Sequence, residues 1–457
     1  MITLDPERIA AEARATISAR GVAAHPERAV INSGEVLPDD LFVGLPGQWR
    51  NGGEFAEQAI EAGAWGVLVS LDDAERLGAD AGAWVLASNN PLRSFQRLAR
   101  GWRRELGCKV VGVTGSSGKT TVKDIARAIL PARVHASVGN LNTEIGLPMT
   151  ILAAEPETEV MVLEMGMRGR GQISELCDIA EPDVAAITNV GPVHLELLGT
   201  IDAIAEAKAE ILGGLGRRGR AVVPAAAEAL SPHLHDSLLT FTFGAGGEVH
   251  ALDVELVEDG IAALVSTPHG ERRFVFPFAE EYNLANALCA IAIGIALDLP
   301  VEDALAEMAE RAQAIEFSEL RGESVELRRG IVLINDTYNA NPLSMRAALD
   351  HLGSLEPAAD GRRVVVLGEM RELGPDSVAY HREVGAHARE LGLGPIFGIG
   401  GGARDYAPDQ WFADIDEAIE PIAVGLHPRD IVLLKASRSV ALEQLTDALA
   451  DWHGMER

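Results

Sequence analysis

An apolar run, Val110-Val111-Gly112-Val113-Thr114, leads into Gly115-Ser116-Ser117-Gly118-Lys119-Thr120-Thr121 and then a helical stretch from Val122 to Leu130. A glycine-bearing turn between strand and helix aims backbone N–H groups and a helix N-terminus at one point, where they cradle an anion. In that frame Lys119 reaches the outer phosphates of a nucleotide, and Thr120 presents a hydroxyl to its magnesium ion. The strict phosphate-loop spacing asks for glycine at position 113, where Val113 stands. A plain Gly-Ser turn before an ordinary helix explains neither the Lys-Thr pair nor its place between strand and helix. Nucleotide phosphate binding is therefore favoured.

Four further constellations carry polar chemistry at the ends of apolar runs. Glu164 follows Val160-Met161-Val162-Leu163; a carboxylate at the carboxyl end of a parallel strand, beside a phosphate loop, holds magnesium directly or through water. The competing reading is a capping or surface glutamate. In Asn189-Val190-Gly191-Pro192-Val193-His194-Leu195-Glu196 the loop projects His194 toward the same sheet edge. Magnesium prefers oxygen, so His194 reads equally as a structural hydrogen-bonding residue or a site residue. Lys208, in a helix with Ile201, Ile204, Ile211 and Leu212, reads by itself as a solvated surface charge. Asn335-Asp336-Thr337-Tyr338-Asn339-Ala340-Asn341-Pro342 again follows a buried strand. A turn accounts for its Asn and Pro, but less well for four polar groups converging there.

The elements that must hold these residues fall into three regions. Residues 1–107 contain short strands (Leu41–Leu45, Trp65–Val69, Ala83–Leu86) and a helical stretch Glu54–Ala62. Arg93–Leu106 reads as an amphipathic connecting helix with Phe95, Leu98, Trp102 and Leu106 on one side. In residues 108–316, apolar strands (Val160–Leu163, Val184–Ile187, Ala221–Val223) alternate with helices, as in a buried parallel sheet. Val249–Phe276 alternates more like antiparallel hairpins. In residues 317–457, strands at Ile331–Ile334, Val364–Leu367, Ile396–Ile399 and Ile431–Leu434 predict a compact doubly wound α/β domain.

The 457 residues carry 39 Lys and Arg against 68 Asp and Glu, a net charge of −29. Such a balance disfavours a nucleic-acid partner, which needs a basic face, and requires local cations and N–H groups for any anionic substrate. No apolar run approaches the roughly 20 residues of a membrane span, and the start of the chain lacks the basic and apolar regions of a signal peptide. Cys108, Cys177 and Cys289 lie far apart, without metal-type spacing, and read as core residues in a reducing compartment. A cytoplasmic monomer is expected.

These landmarks, taken together, resemble the Mur ligase family of peptidoglycan synthesis. The match runs in order through Gly115–Thr121, Asn140–Pro148, Glu164–Met167, Asn189–Glu196, Lys208, Asn286–Leu288, Arg321–Glu323, Asp336–Pro342, Leu367–Met370 and Lys435–Ser439, and covers roughly residues 30–445. The paired asparagines of Asp336–Met345 are similar to the branch that adds D-alanyl-D-alanine. The resemblance implies an N-terminal UDP-sugar domain (1–107), a central parallel-sheet ATPase domain (108–316) and a C-terminal Rossmann-like domain for the incoming dipeptide (317–457). It implies ATP held by Gly115, Ser116, Ser117, Gly118, Lys119, Thr120 and Thr121, with Asn283 and Asn286 facing the adenine and Arg321 and Asp336 closing over the nucleotide. Magnesium would lie on Thr120 and Glu164, with His194 near a second ion. Lys208 would take up carbon dioxide as a carbamate, giving a hard cation oxygen ligands where an ammonium repels it. Lys119, His194 and Lys208 are thus the expected catalytic residues. The implied substrates are UDP-N-acetylmuramoyl-tripeptide and D-alanyl-D-alanine, with Ser33, Asn142, Thr143, Tyr338, Asn339, Asn341, Lys435 and Ser437 as substrate-side residues.

The chain departs from the family pattern in four places. Asn32-Ser33-Gly34 stands where Asp-Ser-Arg is usual, and Asn51-Gly52-Gly53 where Asp-Gly-His is common; Tyr282 replaces a histidine before Asn283, and Ala436 a glycine before Ser437. Two other readings stay open at the level of sequence: a ligase of the same chemistry with other substrates, such as a folylpolyglutamate synthase-like enzyme, and a nucleotide-binding regulatory protein.

Overall fold

The computed structural model describes residues 2–47, 49–258, 260–358 and 360–455. Met1, Gln48, Asp259, Ala359 and residues 456–457 of the expected regions lie outside the described residues. The architecture is mixed α/β, with most strands parallel.

The middle of the chain builds a six-stranded sheet in the spatial order Leu239–Phe243, Arg220–Pro224, Val184–Ile187, Lys109–Thr114, Val160–Glu164, Val134–Ala136. All its pairings are parallel. Both faces are covered, which is why its strands read as unbroken apolar runs and not as alternations. Consecutive connections leave Lys109–Thr114 toward one side and later return on the other, so the carboxyl end of this strand is a topological switch point, where a crevice opens. The expected hairpin segment is a three-stranded antiparallel sheet, His250–Val257, Gly260–Thr267 and Gly270–Phe276.

The first region forms a five-stranded sheet ordered Thr16–Ala19, Trp84–Ser88, Gly66–Ser70, Leu41–Val43, Ala29–Val30, with only the first strand antiparallel. Its expected helix Glu54–Ala62 starts later, at Ala56–Glu61. The preceding Gly52–Phe55 is a 3-10 turn, because the Asn51 side chain accepts from Gly53 N and pulls the chain into a tighter coil. The connecting helix runs Pro91–Leu106: Asn90 caps it by accepting from Arg93 N at 3.0 Å, Pro91 opens it, and Gly107, at φ 61°, ends it.

The last region is a six-stranded sheet, Glu323–Leu327, Ile331–Asp336, Ile431–Lys435, Arg363–Gly368, Ile396–Ile399, Gln410–Phe412. Only the first strand is antiparallel. Phe95, Leu98 and Trp102 of the connecting helix belong to one hydrophobic cluster that joins Leu41, Leu68 and Leu86 of the first sheet to Val110, Met161 and Ile187 of the central sheet. The last sheet has its own cores, one on each face. Cys108, Cys177 and Cys289 are buried free thiols, and burial pushes Cys177 up to about 12.

Candidate active site

The helix expected from Val122 begins three residues earlier, at Lys119, and runs to Ile129. Gly118, at φ 77°, supplies the left-handed step that turns the strand's exit straight into the helix. The glycines leave no room for a side chain: a Cβ on Gly115 would sit 1.8 Å from Thr188 Oγ1, and one on Gly118 2.3 Å from Asn286 Oδ1. The loop is therefore a backbone cradle packed from below. Asn189 shapes it, its Oδ1 accepting from Ser116 N at 3.1 Å and Ser117 N at 2.9 Å while its Nδ2 donates to Ser117 Oγ at 2.8 Å. Beyond the loop, the first-turn N–H groups of Lys119, Thr120 and Thr121 have no intrahelical acceptor and face the crevice end of the helix. These features fit a nucleotide's phosphates.

Lys119 folds back to donate to Gly115 O at 3.0 Å. Burial pushes its ammonium below the usual lysine range; Glu164 opposes that shift and Arg321 adds to it. Thr120 Oγ1 donates to Glu164 Oε2 at 2.7 Å, and Asn142 Nδ2 donates to Glu164 Oε1 at 2.8 Å. Thr120 and Glu164 thus bring a hydroxyl and a carboxylate together, the hard oxygen donors that magnesium requires, with the Asn142 amide N–H steadying the carboxylate. Among the described residues no group of three or more His, Cys, Asp or Glu side chains could hold a metal. That is compatible with magnesium, which keeps waters and substrate phosphates and asks for only one or two carboxylates.

Lys208 overturns the solvated-charge reading of its helix. On Ile201–Gly213, which Thr200 caps through Ala203 N, it is only 2% exposed, and its ammonium makes no hydrogen bond or ion pair with any described residue. Burial, then the charge of Lys119, push it well below the ordinary lysine range. A lone helical lysine is solvated only if its helix face is, and here that face packs inward.

The C-terminal region reaches across to the same loop. Arg321 Nη2 donates to Thr120 Oγ1 at 2.8 Å, and its guanidinium lies 4.0 Å from the centre of the Tyr338 ring. Asn341 Nδ2 donates to Ser116 O at 3.4 Å, while its Oδ1 accepts from Ser344 N and caps the helix Pro342–Ser354. Ser318, in the stretch leading to this region, donates through N and Oγ to Asp124 Oδ2 on the phosphate-loop helix, at 2.9 and 2.8 Å. Asp336 is held by the buried Lys435, whose Nζ donates to its Oδ2 at 2.5 Å and to Asn339 O at 3.1 Å. Ser437 Oγ accepts from Arg371 N and donates to Ala340 O. On the central helix Glu281–Leu297, Asn286 Nδ2 donates to Asn283 Oδ1 at 3.1 Å, so this pair lines up beside Gly118.

The remaining expected residues make other contacts. Ser33 lies in a 3-10 turn of the first sheet's region, and its Oγ donates to Gln58 Oε1 at 3.4 Å. Thr143 is exposed, its Oγ1 accepting from Gly146 N. Asn339 is exposed and accepts from Ala340 N. His194 is bonded through Nδ1 to Glu372 of the C-terminal region, and that bond foremost holds the Glu372 carboxyl below its usual range. Residue-by-residue reading passed over Asn189, Asp124 and Glu372 as site residues. Asn189 had a usable signal, its place directly after a buried strand; Glu372 had none, lying 178 residues from its partner.

Family models match two stretches of the chain: the Mur ligase middle domain over residues 113–294, and the Mur ligase, glutamate ligase domain over residues 320–438. The UDP-N-acetylmuramoyl-tripeptide–D-alanyl-D-alanine ligase of Bacillus subtilis is 35% identical over 425 residues, covering 90% of each chain. The structure is similar to that of MurF from Acinetobacter baumannii, with a TM-score of 0.88 at 28% identity over 98% of this chain and 99% of that one. It is also similar to MurF ligase from Thermotoga maritima in complex with ADP, with a TM-score of 0.80 at 29% identity over 93% and 97%. With the phosphate cradle, the Thr120–Glu164 pair and the incoming Arg321 in place, these matches establish that the chain belongs to the Mur ligase family.

Proposed function

We propose that the chain is the ATP-dependent, ADP-forming ligase that joins D-alanyl-D-alanine to UDP-N-acetylmuramoyl-tripeptide, giving the UDP-N-acetylmuramoyl-pentapeptide of peptidoglycan synthesis. The observation that carries it is the meeting of Arg321 with Thr120, whose hydroxyl is itself bonded to Glu164, beside the phosphate loop, in a chain whose 35%-identical relative bears that name. Residues 1–107 are taken as the UDP-sugar domain, 108–316 as the ATP domain and 317–457 as the dipeptide domain. The enzyme is taken to act as a cytoplasmic monomer; no helix among the described residues is long and apolar enough to cross a membrane.

The chemistry follows from charge. A carboxylate is a poor electrophile, so a tripeptide carboxylate oxygen attacks the γ-phosphorus of ATP, the bond to ADP breaks, and an acyl phosphate results. The amine of D-alanyl-D-alanine then attacks the acyl carbon, loses a proton, and phosphate leaves. Both steps gather anions in one crevice of a chain with net charge −29. Lys119, Arg321 and the N–H groups of the loop supply the compensating positive charge. Lys119 must leave Gly115 O to reach a phosphate, a rotation of a flexible side chain and not of the fold. Thr120 and Glu164 would hold magnesium, which would neutralise and orient the phosphates. The C-terminal contacts through Asn341 and Ser318 keep water from the acyl phosphate. Asn283 and Asn286 face the adenine. Tyr338, Asn339, Lys435 and Ser437 order the loops that receive the dipeptide, and Ser33, Asn142 and Thr143 serve the UDP-substrate side.

Lys208 is assigned as a carbamate that completes the site for a second ion beside His194. Burial and the charge of Lys119 shift its amine toward the neutral form, whose lone pair attacks carbon dioxide, releasing a proton and leaving an N-carboxylate. Lys208→Ala is expected to lose turnover, and added acetate or formate to restore part of it. Full turnover of Lys208→Ala with no additive removes the carbamate.

The test of the whole assignment is phosphate release from ATP and magnesium with UDP-N-acetylmuramoyl-tripeptide, with and without D-alanyl-D-alanine. Release is expected to need both, with the UDP-pentapeptide as product. Release indifferent to the UDP substrate overturns the reading.

A further inference from the structure

His194 and Glu372 meet across the boundary between the central and C-terminal sheets, and the junction is more than one side-chain contact. His194 opens the short helix Leu195–Leu198 at φ 52°, and Glu372 sits at φ 63°, both in the left-handed region that non-glycine residues avoid. Glu196 N donates to Glu372 O at 3.3 Å. Gly374, at φ 64°, presses so close that a Cβ there would lie 3.1 Å from Glu196 Cα. Glu372 then divides its carboxylate: one oxygen takes His194 Nδ1, and the other lies 3.8 Å from Arg168 Nε. Two constrained loops are interlocked so that a carboxylate from one region orients an imidazole of the other.

We propose that Glu372 is a positioning residue through which docking of the C-terminal region sets the ring of His194. A carboxylate that accepts from Nδ1–H fixes the orientation of the ring and, in a neutral imidazole, the tautomer whose Nε2 is the free nitrogen. Among the described residues no other hydrogen-bond partner holds the His194 ring. Arg168 cannot replace Glu372, since a guanidinium donates only. The ring is thus presented at Nε2 when the C-terminal region is docked and released when it departs. Docking of the C-terminal region then arms the site. The inference rests on the ligase reading, to which it adds a residue and a coupling.

A double-mutant cycle in the full-length enzyme tests it, with Glu372→Ala, Glu372→Gln and His194→Ala. Glu372→Ala is expected to lower kcat about 10- to 100-fold, with KM for ATP changed less than about twofold. Glu372→Gln, isosteric and still offering an acceptor oxygen, is expected to recover a substantial part. In the His194→Ala background, Glu372→Ala should cost nothing further, because the two act through one ring. The second readout is binding of Mn2+ in the presence of ADP, followed by electron paramagnetic resonance. Its affinity should fall about 10-fold in Glu372→Ala and change no further in the double variant. Additive losses in the cycle, or Mn2+ affinity unchanged in Glu372→Ala, overturn the proposal. If wild-type phosphate release ignores the UDP substrate, the ligase reading fails instead, whatever Glu372 does.

Discussion

Two lysines in this site show how differently chemistry is written into single residues. Lys119 is legible because its neighbours declare it: glycines at Gly115 and Gly118, a hydroxyl at Thr120 and a buried strand before them. The structure adds that those glycines are compulsory, since Thr188 and Asn286 occupy the space a Cβ would need. Removing the lysine while keeping the cradle isolates its charge. Lys119→Ala is expected to lower turnover by at least about 10²–10³-fold, the usual cost of removing one preorganised donor from a charge-developing centre. Near-native turnover in a steady-state assay would remove Lys119 from the mechanism. Lys208 has no such neighbours. Its role depends on which face of its helix turns inward, a tertiary fact that helical periodicity around a single lysine does not carry. Glu372 is further still from legibility, because its partner is set by two loops from different sheets.

At the level of elements the buried parallel strands are readable and the starts of helices are not. Buried parallel strands such as Val184–Ile187 and Ile396–Ile399 are bounded as expected because both faces lose water at once, and the apolar run stops where the crevice begins. The 3-10 turn before Ala56 was hidden because one asparagine side chain, not periodicity, decides it. A similar side-chain decision holds the last sheet. Asp430, 0% exposed, precedes the strand Ile431–Lys435 and accepts from Arg362 N, Nε and Nη2 and from His427 N. Burial alone would raise its carboxyl, but the hydrogen bonds from Arg362 and His427 win and hold it below the usual range. A carboxylate with a depressed folded pKa stabilises above its unfolded value, about 3.9, and that stability is lost as pH falls through the folded pKa. Asp430→Ala is therefore expected to cost about 3 kcal/mol at neutral pH, Arg362 losing its carboxylate and keeping Gly425 O. Urea unfolding at pH 7 and at pH 3 checks it: the gap between wild type and variant should narrow at the lower pH. A gap independent of pH would mean that packing, not charge, is what Asp430 supplies.

The whole molecule is where sequence reading stops earliest. Three regions were visible as changes of pattern, yet nothing in the pattern says which of them share a core. The connecting helix Pro91–Leu106 answers that for the first two: Trp102, 1% exposed, donates from Nε1 to Ala154 O at 3.1 Å, and its cluster runs without a break from Ile2 to Leu230. The C-terminal sheet keeps its own cores and is joined by polar contacts, Arg321 to Thr120, Asn341 to Ser116, Ser318 to Asp124 and His194 to Glu372, with Tyr380 and Leu343 adding apolar contact across the boundary. A shared apolar core couples unfolding, because exposing one side exposes the other; hydrogen bonds between separately packed cores couple it weakly. The same contrast suits the chemistry, since a part that must dock and release cannot bury a common core. Calorimetry of the ligand-free protein is thus expected to show two transitions, one for the first two sheets together and one for the C-terminal sheet. Trp102→Ala should destabilise the first by about 3–5 kcal/mol, the usual loss for a buried tryptophan, and leave the second in place. Asp430→Ala should do the reverse. A single transition moved equally by either change would show that the contacts between them bind the three regions into one cooperative unit, and that docking cannot be released without unfolding.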